Sequence, residues 1–224
     1  MDKLALKITA DGSHTLYLES LDETYHSKHG AIQEAMHVFL NAGFHYFDKQ
    51  KLNVLEIGFG TGLNAFLTLL AAEKNNVKVN YTSLEAFPLK EEVIRTLNYT
   101  KELNSSKQEI EWFKFIHQTE WENYQKITPM FNINKVKVEL ANYKTIEKFN
   151  IIYFDAFGPR VQPEMWSKEI FEKIYNSLND GGILVTYCAK GSVKRTLKEV
   201  GFEIEGLPGP PGKREMTRAK KVGN

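Results

Sequence analysis

Cysteine is almost absent. Cys188 is the single one in 224 residues, which excludes an internal disulfide framework and fits a reducing, cytoplasmic setting. It follows the apolar run "GGILVTY" and reads as a packed core thiol. Long apolar runs are missing too. None approaches the roughly 20 residues of a membrane span, so no membrane association is expected. The start, "MDKLALKITADGSH", is charged within three residues and has no signal-peptide apolar region. Formal charge is only +1 and hydrophobic content is 42%, which excludes disordered and fibrous classes. There is no internal repeat and no long low-complexity linker. His26, His29 and His37 have neither a cysteine nor a nearby acidic pair to complete a ligand set, so no metal is expected.

What is present is an alternation of elements. "LALKI" and "TLYLE" alternate apolar and polar around Asp11 and Gly12, predicting an N-terminal hairpin. "GAIQEAMHVFLNAGF" has helical spacing, with Ile32, Met36, Phe39 and Leu40 on one face. From "NVLEIGFGTG" onward the pattern is apolar strand, turn, helix, repeated. The pieces are a strand over 54–57, a helix over 63–73, "VNYTSLEA", a helix from about Lys90, and a strand "KVKVELA". Then come "FNIIYFDAF", a helix over 163–178, "GGILVTYCA", the helix and strand of "GSVKRTLKEVGFEIEGL", and a last strand after "PGPPGKREMTRAK". Such alternation predicts right-handed βαβ units, a parallel sheet, and ligands beyond the strands' C-terminal ends. One domain is expected over 1–224, with 1–50 an N-terminal elaboration and 51–224 the α/β core.

The loop "VLEIGFGTGLN" is the strongest single signal. Glycines at 58, 60 and 62 let the backbone turn sharply and approach a ligand where a Cβ would collide. The helix that follows offers unpaired N–H groups to an anion. A P-loop would need Gly-Lys-Ser/Thr, and this loop has no lysine. A dinucleotide fingerprint fails from Gly58, because position 63 is leucine, but passes from Gly60 as G-x-G-x-x-A, so glycine spacing alone does not exclude NAD. Glu56, two residues before the first glycine, favours the acid-x-Gly-x-Gly-x-Gly form of S-adenosylmethionine-dependent methyltransferases. Glu56, Gly58, Gly60, Thr61, Gly62 and Asn64 are therefore the candidate cofactor contacts of the loop. Glu85, closing "YTSLEA", is placed to accept hydrogen bonds from two ribose hydroxyls in either reading. Asn142, after "VELA", is a candidate for the adenine amide contact.

Asp155 ends the apolar run "IIYF" and is followed by a small residue, an aromatic and a Gly-Pro break. A carboxylate there is either a turn cap or a group aimed at a ligand. Trp166, in "EMW", reads as packing at a helix start.

In the same order, "YHSKHGAIQEAMHVFLNAG", "LEIGFGTGLNAF", "LEAFPL", "DAFGPRVQPEMW" and "GKREM" resemble the methyltransferase domain that finishes 5-methylaminomethyl-2-thiouridine on transfer RNA. The resemblance covers His14 to Thr217. The family often has Asp-Gly-Phe-Ala-Pro where this chain has Asp155-Ala156-Phe157-Gly158-Pro159, and Gly-Asp in place of Ala141-Asn142. In bifunctional members this domain is fused to an FAD-dependent oxidase. Here it looks like a stand-alone methyltransferase domain, with a separate FAD-dependent oxidase as a potential partner. The resemblance implies a Rossmann-like class I fold, with a mostly parallel seven-stranded sheet, helices on both faces and the N-terminal elaboration. It also implies S-adenosylmethionine as cofactor, transfer RNA as partner, and an aminomethyl group on the wobble uridine as methyl acceptor.

On that basis Asp155 is the catalytic candidate, holding and orienting a cationic amine. Phe157 and Pro159 would shape a slot for a flipped-out base. "YHSKHG" would cover the cofactor, with Tyr25 a contact. From Lys190 to Lys221 there are nine Lys/Arg against four Asp/Glu, a basic C-terminal segment on a chain that is otherwise net acidic. Lys213 and Arg214, with Lys190, Lys194 and Arg195, are the candidates for phosphate contacts. Two other functions fit the same residues less fully. An aminopropyltransferase would need more acids around Asp155, and a silent RNA-binding module would not need Glu85 and Asp155.

Overall fold

The computed structural model describes residues 4–223; the charged start at 1–3 and residue 224 lie outside them. Two sheets organise the chain. The smaller one is built from β1 (Leu4–Ile8), β2 (His14–Leu18) and the two-residue β3 (Glu23–Thr24), all antiparallel. Its first turn is the expected one. Gly12 takes φ +84°, and the Asp11 carboxylate accepts the Ser13 N–H at 3.0 Å and the Thr9 hydroxyl at 2.7 Å, as Asp does in such turns.

The segment 31–41 departs from a plain helix. α1 (Ala31–Ala35) runs directly into a π-helical stretch, Met36–Asn41, in which the Ala42 N–H reaches the His37 carbonyl five residues back at 3.3 Å. The wider turn changes the face. Val38, Phe39 and Leu40 are all buried in the core, whereas Met36, expected on that face, is 38% exposed.

The larger sheet contains β4 (Lys51–Ile57), β5 (Lys78–Leu84), β6 (Gln125–Lys126), β7 (Phe131–Val136), β8 (Phe149–Phe154), β9 (Leu178–Thr186), β10 (Phe202–Pro208) and β11 (Glu215–Lys221). Their spatial order is β10-β11-β9-β8-β4-β5-β7-β6. Seven full strands thus form the sheet, and β6 adds a two-residue edge. The five central strands are parallel, while β11 inserts antiparallel between β9 and β10. Both faces are covered. In β8, Ile151 and Tyr153 belong to one buried cluster and Ile152 and Phe154 to the other. That is why "IIYF" is an unbroken apolar run.

Helices complete the layers: α2 (Leu63–Asn75), the short α3 (Glu91–Ile94) and α4 (Tyr99–Glu102), then α5 (Lys107–Gln118), α6 (Lys168–Ser177) and α7 (Gly191–Val200). A helix does begin where expected, α3 with Lys90 as its N-cap, but it is short, and the long helix after β5 begins at Lys107 with a capping box between Ser106 and Glu109. Among the described residues no helix is long and apolar enough to cross a membrane. Cys188 is buried, and Trp166 packs between Phe154 and Phe171 with its indole N–H on the Phe157 carbonyl at 2.8 Å.

One strand differs from expectation in a way that matters for the site. The third parallel strand is "FNINKV", not "KVKVELA". Phe131, Ile133 and Lys135 alternate inward and are all buried, so the sheet ends at Val136 and the chain beyond it turns away.

Candidate functional site

From β4 the chain builds outward through β5 and β7 on one side, and through β8 and β9 on the other. The sheet's winding therefore reverses between β4 and β8, and a ligand crevice opens there beyond the strands' C-terminal ends. A cleft of about 2260 Å³ lies at that place. A single small ligand needs roughly 300–1,000 Å³, so there is room for a cofactor and a second group beside it.

The glycine loop forms the floor. Gly58, Gly60 and Gly62 have φ of +93°, +50° and +72°, which L side chains rarely adopt. A Cβ on Gly60 would lie 3.2 Å from the Tyr25 ring, on the cleft side. One on Gly62 would point the opposite way, 2.8 Å from the His117 ring. Gly60 therefore keeps the cleft open, while Gly62 lets α2 pack closely against α5. Glu85 ties the loop to its neighbour. Its carboxylate accepts the Gly60 N–H at 2.9 Å and the Phe87 N–H at 2.8 Å. A carboxylate has about four lone-pair sites, so capacity remains for two hydroxyls.

Asp155 stands across from the loop, its own N–H bonded to the Ile57 carbonyl at 3.2 Å. The Asn64 amide, from the first turn of α2, donates to its Oδ2 at 2.8 Å. Burial pushes its carboxyl up to about 7, reinforced by the negative charge of Glu34 and opposed by the Asn64 hydrogen bond and the Lys213 charge. Phe157 meets Tyr25 edge to face at 5.3 Å, and both line the cleft with Pro159 and Thr61.

Several expected residues fall elsewhere. Glu56 is fully buried beneath the loop and does not line the cleft. Burial pushes its carboxyl well up, opposed by the polar groups of Ser83, Asn64 and Tyr81. Ser83 donates to its Oε2 at 2.5 Å. Asn64 Oδ1 is buried without a hydrogen-bond partner, as is Glu56 Oε1. Asn142 is exposed and outside the lining; because β7 ends early, Val138 to Ala141 border the cleft instead. Lys213 is not a free surface cation. It pairs with Glu34 at 2.5 Å and lies over the Tyr187 ring at 3.8 Å. Lys194 pairs with Glu215 at 2.8 Å. Lys190, Arg195 and Arg214 are exposed. His26 is half-buried in the cleft lining, and desolvation pushes its ring down to about 4.

The sequence reading missed Glu34. Its signal was present: position 34 belongs to the buried stripe of Ala31, Ala35 and Val38, where a carboxylate has no packing reason to be. It also missed Lys135, buried between Phe59 and Trp121 with its ammonium on the His117 carbonyl at 2.8 Å. Burial lowers that ammonium to about 8.

A parallel sheet with a glycine cradle, a strand-end acid for a ribose, and room beside them defines an α/β transferase using a nucleoside-bearing cofactor. The profile described as S-adenosyl-L-methionine-dependent methyltransferase matches residues 102–222, and the chain belongs to that family. Its cofactor is S-adenosylmethionine, and neither aminopropyl transfer nor a silent RNA-binding role is favoured. The chain is 30% identical over 220 residues to the tRNA 5-methylaminomethyl-2-thiouridine biosynthesis bifunctional protein MnmC of Leptospira interrogans, covering 88% of this chain and 32% of that protein. The same-named protein of Cupriavidus metallidurans is 29% identical over 92% of this chain and 32% of its own length. The chain thus spans about a third of the curated relatives it matches. The crystal structure of MNMC2 from Aquifex aeolicus superposes with a TM-score of 0.79 at 24% identity, covering 100% of this chain and 72% of that one. That likeness establishes the fold.

Proposed function

We propose that this methyltransferase acts on transfer RNA, methylating the primary amine of 5-aminomethyl-(2-thio)uridine at the wobble position to give the 5-methylaminomethyl form. The observation that carries the reading is Asp155, a carboxylate at the mouth of the cofactor cleft, oriented by Asn64 at 2.8 Å and backed by a second acid, Glu34. The names of the Leptospira and Cupriavidus relatives support the acceptor.

Gly58, Gly60 and Thr61 would hold the cofactor against the loop backbone, with Glu85 on its ribose. When bound, S-adenosylmethionine supplies a methyl group on a positively charged sulfur. An alkyl amine is mostly protonated at neutral pH and has no lone pair to offer. With its carboxyl pushed up to about 7, Asp155 is divided between acid and carboxylate at neutral pH, matched to taking one proton. The carboxylate holds the ammonium through a charge-assisted hydrogen bond, accepts its proton, and leaves the lone pair directed into the cleft. The freed amine would take the methyl group as its bond to sulfur breaks, and Asp155 would return the proton to solvent. Phe157, Pro159 and Tyr25 would frame the base, and exposed Lys190, Arg195 and Arg214 would meet phosphates. On this reading the compartment is the cytoplasm. Carboxymethylated substrate needs an FAD-dependent oxidase activity, in this or another polypeptide, to expose the amine first.

The test offers purified protein and labelled S-adenosylmethionine with transfer RNA carrying either the free aminomethyl or the carboxymethylaminomethyl group, followed by nucleoside analysis. Methylation of the free amine alone is expected, because the added carboxylate would meet Asp155 with like charge. Equal methylation of both removes Asp155 as the selecting group; methylation of neither removes the acceptor.

A further inference from the structure

A second charged cluster lies in the cleft beside Asp155. Glu34, on α1, is 7% exposed yet borders the cleft. Its Oε2 accepts the Ser27 N–H at 2.8 Å and its Oε1 the Lys213 ammonium at 2.5 Å. Lys213 comes from the tip of the β10–β11 hairpin and lies 3.8 Å from the Tyr187 ring centroid. Tyr187 in turn donates its hydroxyl to the carbonyl of Ala156, the residue after Asp155, at 2.9 Å. The hairpin is seated on the N-terminal layer at two further points. His37 Nε2 contacts the Pro208 carbonyl at 2.7 Å. Gly212 lies so close to His29 that a Cβ would come within 2.1 Å of the ring. The lysine is therefore held by Glu34 and the Tyr187 ring, on a hairpin seated against the N-terminal layer.

We propose that Glu34 and Lys213 are a charge-setting pair for the acceptor site: Lys213, fixed inside the cleft by Glu34 and the Tyr187 ring, is a positioning residue that shifts Asp155 toward its carboxylate form for a cationic amine. This rests on the reading of Asp155 as the group that receives the amine.

The charges support that assignment. With both acids ionised and Lys213 protonated the three groups sum to −1, so one incoming ammonium neutralises the cluster. Among the described residues, three further titratable groups feel the charge of Asp155, and burial pushes each of them toward its neutral form. They are Glu56 from β4, whose carboxyl burial pushes well up, and the Tyr81 and Tyr187 hydroxyls, pushed well above their usual range; uncharged Asn64 comes from α2. Glu34 disfavours the Asp155 carboxylate and Lys213 favours it. Without Lys213, two carboxylates would face each other in a half-desolvated cleft, and one would take up a proton.

The experiment compares full-length wild type with Lys213→Gln, Glu34→Gln, their double variant and Lys213→Arg. The Asp155 carboxyl is titrated by carbon-13 NMR in the cofactor-free protein, with Asp155→Asn identifying its resonance. The pH profile of methyl transfer to aminomethyl transfer RNA is recorded alongside. Lys213→Gln should raise the Asp155 midpoint by about one pH unit and Glu34→Gln lower it by a similar amount. The double variant should return toward wild type, and Lys213→Arg should stay close to it. The acid limb of the rate profile should move in the same directions. Unmoved midpoints in folded variants would overturn the proposal, as would shifts of one sign in all of them or a Lys213→Arg shift matching Lys213→Gln. If the midpoints move as stated but wild type methylates no aminomethyl RNA, the acceptor reading fails while the pair stands.

Discussion

Replacing Gly60 by valine separates cofactor binding from folding. At φ +50° an L residue costs about 1–2 kcal/mol, and β-branching adds to it. The new Cβ would meet two Tyr25 ring carbons at 3.2 and 3.4 Å, a contact the ring can relieve by a few tenths of an ångström. Set against a typical domain stability of about 5–15 kcal/mol, the variant stays folded. The valine methyls, however, extend into the space the loop backbone uses to approach the cofactor, and they crowd the Gly60 N–H that Glu85 holds at 2.9 Å. Calorimetry should register at least a ~100-fold loss of S-adenosylmethionine affinity, about 2.7 kcal/mol. Gly62→Ala is the matched control. It shares the positive φ, but its methyl would land 2.8 Å from two His117 ring atoms and 3.1 Å from Phe59, inside packed core. Its cost should appear in thermal stability, as a fall in Tm of roughly 5 °C or more, well beyond that of Gly60→Val. A folded Gly60→Val protein with normal cofactor affinity would refute the assignment of the loop.

Asp155→Asn keeps the shape of the side chain and should lower turnover by roughly two to four orders of magnitude with little change in cofactor affinity; near-normal turnover would make the carboxylate a turn cap. The same residue sets a pH signature. Its carboxyl is raised from 3.8 to about 7, so the native state holds the proton more tightly than the unfolded chain. That stabilisation is full below about pH 4 and is lost as pH rises through 7. His26 and His117, held down at about 4 and 3, act the other way as pH falls below 6.5. Wild type minus Asp155→Asn therefore isolates the carboxyl. Between pH 4.5 and 8, wild type should lose about 2–4 kcal/mol more than the variant in denaturant unfolding, and parallel curves would contradict the burial of this acid. Charge reversal at Arg195 and Arg214 together should raise KM for transfer RNA and reduce the salt slope of binding by about two; an unchanged slope would place the RNA on another face.

The strongest sequence signals were those with one physical cause. β4 and β8 are mostly apolar strands, β4 running into a loop whose glycines meet a backbone requirement, and all three stand where their residues predicted. β7 was misread because Lys135 occupies its third inward position. A buried lysine breaks an apolar alternation, and the apparent strand shifted four residues toward "KVKVELA". Asn142 inherited that error: a residue placed at a strand end belongs to the site only if the strand reaches it. Glu56 fits the motif spacing, yet spacing does not say which side of the loop a carboxylate takes, and complete burial put it beneath. Glu34 and Lys213 are 179 residues apart, and no local pattern announces a pairing made by a hairpin folding back onto a distant helix.

The wide helical turn at Met36–Asn41 carries one residue more than a regular α-helix would need. Removing a single residue there would restore ordinary backbone bonding and improve the helix in isolation. It would also swing everything on one side of the deletion by about 100° relative to the other. Either Phe39 and Leu40 would leave the core, or Glu34 would leave the cleft. The extra residue thus acts as a phase adjuster between two surfaces with different demands, one apolar and one charged. Length changes of one residue in this segment should be far less tolerated than substitutions at exposed Met36, although the segment bears none of the glycines or strand-end acids that mark the site.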